Sequence, residues 1–205
     1  MTILDLPSAA YPAAILVSVT SLILVLSHNW RWSILTLALQ YVGVFLLTTL
    51  SWSIEMSVAK LVAGWMASAV LGIAISEAAA ASPVSWRESE RAWPSSRLFR
   101  LLAACLVLIT VISGSNRISE WVPGLELPQT IGGMMLIGMG LLHLGLTAQP
   151  LRVVLGLLTV LSGFEIFYAV VEASTLVAGL LAAVTLGLAL AGAYLLLSPI
   201  GEEST

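Results

Sequence analysis

The sequence predicts an all-α integral membrane protein: a bundle of about seven transmembrane helices, with the N-terminus outside and the C-terminus cytoplasmic. Three observations carry this expectation. Of 205 residues, 59% are hydrophobic and only 9% charged, with a mean hydropathy of +1.04. A soluble domain carries about 25% charged residues, so no water-facing surface can be assembled here. Seven apolar stretches approach the roughly 20 residues that cross hydrocarbon, where the backbone must satisfy its own hydrogen bonds. Finally, alternate loops divide the arginines unequally. Arg31, then Arg87, Arg91, Arg97 and Arg100, then Arg152 fall on one side, and Arg117 alone on the other. The positive-inside rule makes the richer side cytoplasmic, and that polarity requires an odd number of spans.

Taken in order, the predicted spans cover residues 11–28, 33–52, 55–76, 98–113, 131–148, 151–171 and 175–198. The first lacks a basic flank, because Lys and Arg are absent before Arg31 and Asp5 is present. It therefore reads as a retained helix and not as a cleaved signal. The fourth is the shortest, and Arg100 in its first turn is expected to snorkel. Tryptophans mark the boundaries: Trp30, Trp32, Trp86 and Trp93 at cytoplasmic ends, Trp52 and Trp121 at outer ends, as amphipathic indoles prefer. Only Trp65 falls within a span.

Two connections are long. In the cytoplasmic loop at 77–100, Ser82-Pro83 reads as an N-cap and first helical position, predicting a short surface helix before Pro94. The outer segment 114–130 mixes Ile118, Trp121, Val122, Leu125 and Leu127 with Glu120 and Glu126, a pattern suited to lying along headgroups. No lipidation box ends the chain, which closes Gly201-Glu202-Glu203-Ser204-Thr205.

Small residues at every fourth position let helices approach closely in a bilayer. The third span has Gly64, Ser68, Gly72 and Ser76 on one ridge, and the seventh has Gly179, Ala183, Gly187 and Ala191. Each ridge is expected to face another helix, in this chain or in a neighbouring subunit.

An ionisable side chain costs about 2.5–3.5 kcal/mol at the centre of a spanning helix, so each one is a functional hypothesis. Lys60, the only lysine, precedes Gly64 by one turn and so points into the bundle, roughly 8 Å below the outer surface at 1.5 Å per residue. Glu165 lies about 9 Å below the same surface by the same rise. Ser162, Glu165, Tyr168 and Glu172 recur at three- and four-residue spacing, a polar stripe running to the outer boundary. Two readings stand: a Lys60–Glu165 ion pair reached from outside past Tyr168 and Glu172, or a Lys60 that snorkels outward while Glu165 is neutral or bonded to a neighbouring subunit. His143 would relay protons in the inner half, or bond a backbone carbonyl or interhelical hydroxyl. Gln40 and Tyr41, at similar inner depth, read as interhelical hydrogen bonds in preference to a pathway.

Several function classes are excluded. A net charge of −3 offers no basic face for nucleic acid. The lone Cys105 permits neither a disulfide framework nor a Cys-rich metal site. No metal site, cofactor motif, phosphate-binding loop or nucleophile with a nearby base is present, so any redox or ATP chemistry belongs to other subunits.

The segment Leu151-Arg152-Val153-Val154-Leu155-Gly156-Leu157-Leu158, after the Gln149-Pro150 turn, together with Gly187-Leu188-Ala189-Leu190, resembles the second and third helices of subunit K of NADH:quinone oxidoreductase. It is similar also to the corresponding small component of cation/proton antiporters that are built from several polypeptides. With four additional N-terminal helices, the arrangement resembles component E of membrane-bound formate-linked hydrogenases. About 70 residues carry the likeness. The resemblance implies two parts: residues 1–130 as four N-terminal spans, and residues 131–205 as a three-helix unit like subunit K. It also implies a non-catalytic subunit of the inner membrane, packed among larger antiporter-like and other membrane subunits and lipid, that helps move protons or cations. Subunit K carries a glutamate in each of its last two helices; the matching positions here are Leu158 and Ala183. Glu165, two turns beyond Leu158, is then either a displaced substitute or the mark of a purely structural subunit. An autonomous small transporter is a third expectation, disfavoured because no inverted repeat or midplane helix break is seen.

Overall fold

The computed structural model describes residues 6–27, 29–81, 97–147 and 149–198. Among them the chain forms seven helices and no strand: α1 (Leu6–Leu26), α2 (Trp30–Thr48), α3 (Ile54–Ala81), α4 (Arg97–Trp121), α5 (Leu127–Gly145), α6 (Pro150–Val171) and α7 (Thr175–Leu197). All seven are long and apolar enough to cross a membrane. The chain is an all-helical, multi-pass membrane protein. One end of the bundle, the Arg152 face, carries the start of α6; the other, the Glu172 face, carries its end.

Six helices close a ring, α1–α2–α3–α7–α6–α5 and back to α1, with α2 and α6 also touching across its middle. α4 lies outside the ring against α5 and α1. The expected boundary at residue 130 falls in the first turn of α5, and α3 packs on α7 and α1 on α5 across it. Several apolar clusters fill the interior. The largest joins Leu37 and Tyr41 of α2, Leu71 and Ile75 of α3, and Leu155 and Leu158 of α6.

Close approach of helices rests on glycine at particular places. A Cβ on Gly64 would strike the ring of Tyr41, and one on Gly72 would meet Ile34 at 3.4 Å, so the α3 ridge faces α2 from Gly64 to Gly72, while Ser76 at its end is exposed. The tightest seam is α5 against α6. A Cβ on Gly163 would lie 2.7 Å from the Gly133 carbonyl, and one on Gly140 would lie 3.0 Å from the Gly156 carbonyl. These glycines recur seven residues apart on both helices, a two-turn repeat that a four-residue ridge pattern does not register.

The α7 ridge faces the other way. Gly179, Ala183, Gly187 and Ala191 are exposed, and nothing lies within 4 Å of a Cβ built on Gly179 or Gly187. The face of α7 turned into the bundle is Ala178, Thr185, Ala189 and Gly192.

Several boundaries differ from expectation. α4 does not stop at Ser113 but continues to Trp121, so the headgroup segment expected at 114–130 is a helix end and a short turn. Ser113 and Gly114 alone do not break a helix whose alternative is an unsatisfied backbone in lipid; the break waits for Pro123-Gly124, where Gly124 takes φ 85°. α5 then begins early, with Pro128 in its first turn and the Gln129 Oε1 accepting the Glu126 N–H at 3.2 Å. α2 starts at Trp30 and not Ser33, because the Asn29 side chain caps it through the Arg31 N–H at 3.0 Å. Arg100 does not snorkel but is buried. Trp121 is exposed, whereas Trp52, in the turn between α2 and α3, is buried. Cys105 is exposed on α4. The surface helix expected after Ser82, with Trp86 and Trp93, lies outside the described residues.

Candidate functional site

α3 turns Ser57, Lys60, Gly64 and Ser68 inward, and α6 turns Leu158, Ser162, Glu165 and Ala169 inward. Because α2 and α7 flank both helices, the two ionisable side chains are enclosed on all sides. Lys60 is 3% exposed and Glu165 0%. They meet: Lys60 Nζ donates to Glu165 Oε1 at 2.7 Å, and Oε2 completes the ion pair. Nζ donates a second hydrogen bond, also 2.7 Å, to Thr185 Oγ1 of α7. Its third side faces the Tyr41 ring, with 5.4 Å from Nζ to the centroid, within cation–π range. One ammonium therefore ties together α3, α6 and α7 and rests on α2.

This coordination answers the cost of putting charge in hydrocarbon. A buried ion without a partner is strongly unfavourable, and the attraction between two buried ions offsets their desolvation only when geometry is good and further hydrogen bonds complete each shell. Lys60 meets that condition with a carboxylate, a hydroxyl and an aromatic face. Glu165 meets it through Lys60 alone, whose ammonium faces both carboxylate oxygens.

The pair does not open toward the Glu172 face along the expected stripe. Ser162 is buried like Glu165 and donates to the Leu158 carbonyl at 2.9 Å; Tyr168 is half-buried and Glu172 exposed. Between Glu172 and the pair stands an apolar cluster of Trp52, Ala169 and Ala178 with Met56, Tyr168 and Leu181 packed on it. Trp52, 4% exposed, locks this cluster by donating its indole N–H to the Glu172 carbonyl at 2.9 Å. The route past Tyr168 and Glu172 is thus closed by packed apolar side chains. Tyr168 itself stacks on Phe164, ring centroids 5.8 Å apart, toward the outside of the bundle.

On the other side of the pair the polar groups continue. Gln40 donates to Thr159 Oγ1 at 3.4 Å, the interhelical contact expected of it. The Tyr41 hydroxyl of α2 lies beside Ser162 and Glu165 of α6. His143 is buried on α5 with its Nε2 unpartnered, near Arg152 and Arg100, so neither expected acceptor meets that nitrogen. Among the described residues no group of three or more His, Cys, Asp or Glu could hold a metal ion.

Sequence reading missed Thr185 and Trp52. Thr185 had a signal: it is the only hydroxyl between Thr175 and Tyr194 in a helix of Leu, Ala, Val and Gly. Trp52 had none, because an indole at a span end reads as an interfacial anchor whether or not another helix covers it. Comparison with protein-family models, with curated proteins and with solved structures finds no match for the chain.

Proposed function

We propose that the protein is a non-catalytic membrane subunit of an ion-translocating assembly, complex I-like, hydrogenase-like or of the cation/proton antiporter type, in the bacterial cytoplasmic membrane. The carrying observation is the fully enclosed Lys60–Glu165 contact. A bundle that needed only to be stable has little use for the pair, because replacing both ions with apolar side chains of similar volume is often neutral or stabilising. Retaining it argues for use of its charge.

The mechanism is charge coupling. With Glu165 ionised, the pair is neutral as a unit and Lys60 is held. When Glu165 gains a proton, its attraction for the ammonium falls and the site carries a net positive charge, which biases a titrating group in a neighbouring subunit. The chain needs no cofactor for this and catalyses no reaction alone. Support for a neighbour comes from α7, whose ridge of Gly179, Ala183, Gly187 and Ala191 faces away from the bundle and suits a close-packed helix of a larger membrane subunit. The N-terminus outside and C-terminus cytoplasmic follow from the arginine distribution.

Isolation in mild detergent should bring large antiporter-like polypeptides with the chain. In that assembly Lys60→Met and Glu165→Gln should each abolish most ion translocation while the subunits stay together. Unchanged translocation in both variants would remove the coupling role. If Gly187→Leu dissociates the assembly while Glu165→Leu translocates normally, the chain is a scaffold.

A further inference from the structure

Because α4 leans on α5 and α1 from outside the ring, a strip of α5 is left uncovered between α4 and α6. That strip is the floor of a groove of about 480 Å³. Leu106, Thr110 and Ile118 of α4 form one wall, Phe167 of α6 stands opposite, and Gly138 of α5 lies in the floor. Gly138 also sets how closely α4 sits on α5, since a Cβ there would lie 2.6 Å from Val107 Cγ1. Thr110 is the one polar side chain in the lining, and its Oγ1 already donates to the Leu106 carbonyl at 2.8 Å. The groove therefore suits an apolar guest. Its volume falls among ligand pockets, about 300–1,000 Å³, and left empty it would forfeit the dispersion contacts of its walls.

Length and position select the guest. From Leu106 to Ile118 the α4 wall runs about 18 Å at 1.5 Å per residue, close to the roughly 15 Å of one leaflet in a core about 30 Å thick. Ile118 stands just before the end of α4 at Trp121, and Gly124 beyond it lies against Val170 of α6. The groove thus begins near the Glu172 face and ends within the membrane, which is the reach of one acyl chain hanging from its headgroup.

The mouth carries matching charges. Leu106, Thr110, Ser113, Arg117 and Trp121 recur at three- and four-residue spacing on one face of α4, so the wall runs on into an exposed guanidinium and an exposed indole. Tryptophan at a span end sits at headgroup level. Among the described residues Arg117 pairs with no acid. The last turn of α4 holds Glu120 and no basic residue, although the free carbonyls there favour a cation. A headgroup that brings a phosphate to Arg117 and an ammonium to Glu120 satisfies both.

We propose that this groove binds one phosphatidylethanolamine of the leaflet at the Glu172 face, with an acyl chain along the wall from Leu106 to Ile118, its phosphate on Arg117 and its ammonium beside Glu120. Phosphatidylglycerol has the phosphate without the ammonium and meets Glu120 as a like charge, so it is the poorer guest. The site owes nothing to the Lys60–Glu165 pair and stands whether or not that pair couples to ion movement.

The first test is native mass spectrometry of the full chain in detergent, with palmitoyl-oleoyl phosphatidylethanolamine or phosphatidylglycerol added. One phosphatidylethanolamine should stay bound after release from the micelle, and phosphatidylglycerol should bind at least fivefold more weakly. Thr110→Trp fills the groove from its exposed side and should weaken phosphatidylethanolamine binding at least tenfold. Ile109→Trp adds the same bulk at an α4 position outside the lining, 62% exposed, and should leave binding within twofold. Arg117→Gln should weaken both lipids, and Glu120→Gln should bring their affinities within twofold of each other. Equal effects of Thr110→Trp and Ile109→Trp would reduce the site to general lipid contact and overturn it, as would phosphatidylglycerol binding as tightly as phosphatidylethanolamine. The second test leaves the chain unaltered: phosphatidylethanolamine with a diazirine in its acyl chain is photolysed in liposomes, and labelled residues are mapped. Label on residues 106–118 and 134–138 should exceed label on the outward side of α7 at least tenfold; an even spread overturns the proposal. Cross-linking of Thr110→Cys to another polypeptide in the native assembly, with loss of the lipid label there, would make the groove a seat for a helix and overturn it too.

Discussion

Lys60 and Glu165, 105 residues apart in the chain, share a 2.7 Å hydrogen bond between two helices that have no other charged residue facing the bundle at that depth. Each is the reason the other can be buried. Removing one side leaves a lone ion among apolar helices, which costs about 3–5 kcal/mol. Lys60→Met and Glu165→Leu should therefore each destabilise the bundle by about that amount, whereas the double variant should recover most of it. Unfolding by graded denaturing detergent measures all three, and a double variant as unstable as the sum of the singles would show that the two do not depend on each other.

Thr185 supplies the second acceptor for the ammonium. Thr185→Val keeps the shape and removes the hydroxyl, so it should cost about 1.5–3 kcal/mol, the range for a hydrogen bond to a charged group, and Thr185→Ser should restore it. Failure of serine to rescue would mean that the methyl group, not the hydroxyl, holds α7 in place.

The two glycine ridges should respond in opposite ways. Gly64→Ala pushes a methyl into the Tyr41 ring and should destabilise the isolated chain by about 1–3 kcal/mol, as overpacking does. Gly187→Leu meets nothing in this chain and should shift isolated-chain unfolding by no more than about 0.5 kcal/mol while reducing recovery of co-purifying subunits. A large loss of isolated-chain stability in Gly187→Leu would place that face inside the fold.

Trp52 joins the link between α2 and α3 to the end of α6. Trp52→Phe should lose only the indole hydrogen bond, about 0.5–1.5 kcal/mol, and Trp52→Ala about 3–5 kcal/mol through the cavity it leaves. Thermal aggregation of the detergent-solubilised chain ranks the two, and equal losses would show that the bond matters more than the packing.

The spans were readable because hydrocarbon imposes a length and a polarity that composition alone reveals; α6 and α7 were placed to within a residue at each end. Helix ends were less readable where a cap or a turn lay outside the apolar window, as with Asn29 before α2 and Pro123-Gly124 after α4. Matched depth was enough to suggest that Lys60 and Glu165 belong together, since both heights follow from rise per residue. Partners chosen by rotation and neighbour order could not be counted off in this way. Nothing in the order of residues says that α7 packs on α3, so Thr185 stayed out of view, and nothing says which side of α7 is turned outward. The route past Glu172 was drawn from one helix, and the indole that blocks it comes from another.

Thr185 and the ridge of Gly179, Ala183, Gly187 and Ala191 occupy opposite sides of α7. A foreign helix seated on that ridge would run about 8–10 Å from the α7 axis, so one peptide cylinder would be all that separates it from the ammonium. In so thin a dielectric pane, a change of charge beside Lys60 reaches the visitor as an electric field, with no atom crossing between them. The bare flank of α7 is therefore where a neighbouring helix, if one packs there, would feel that field most strongly.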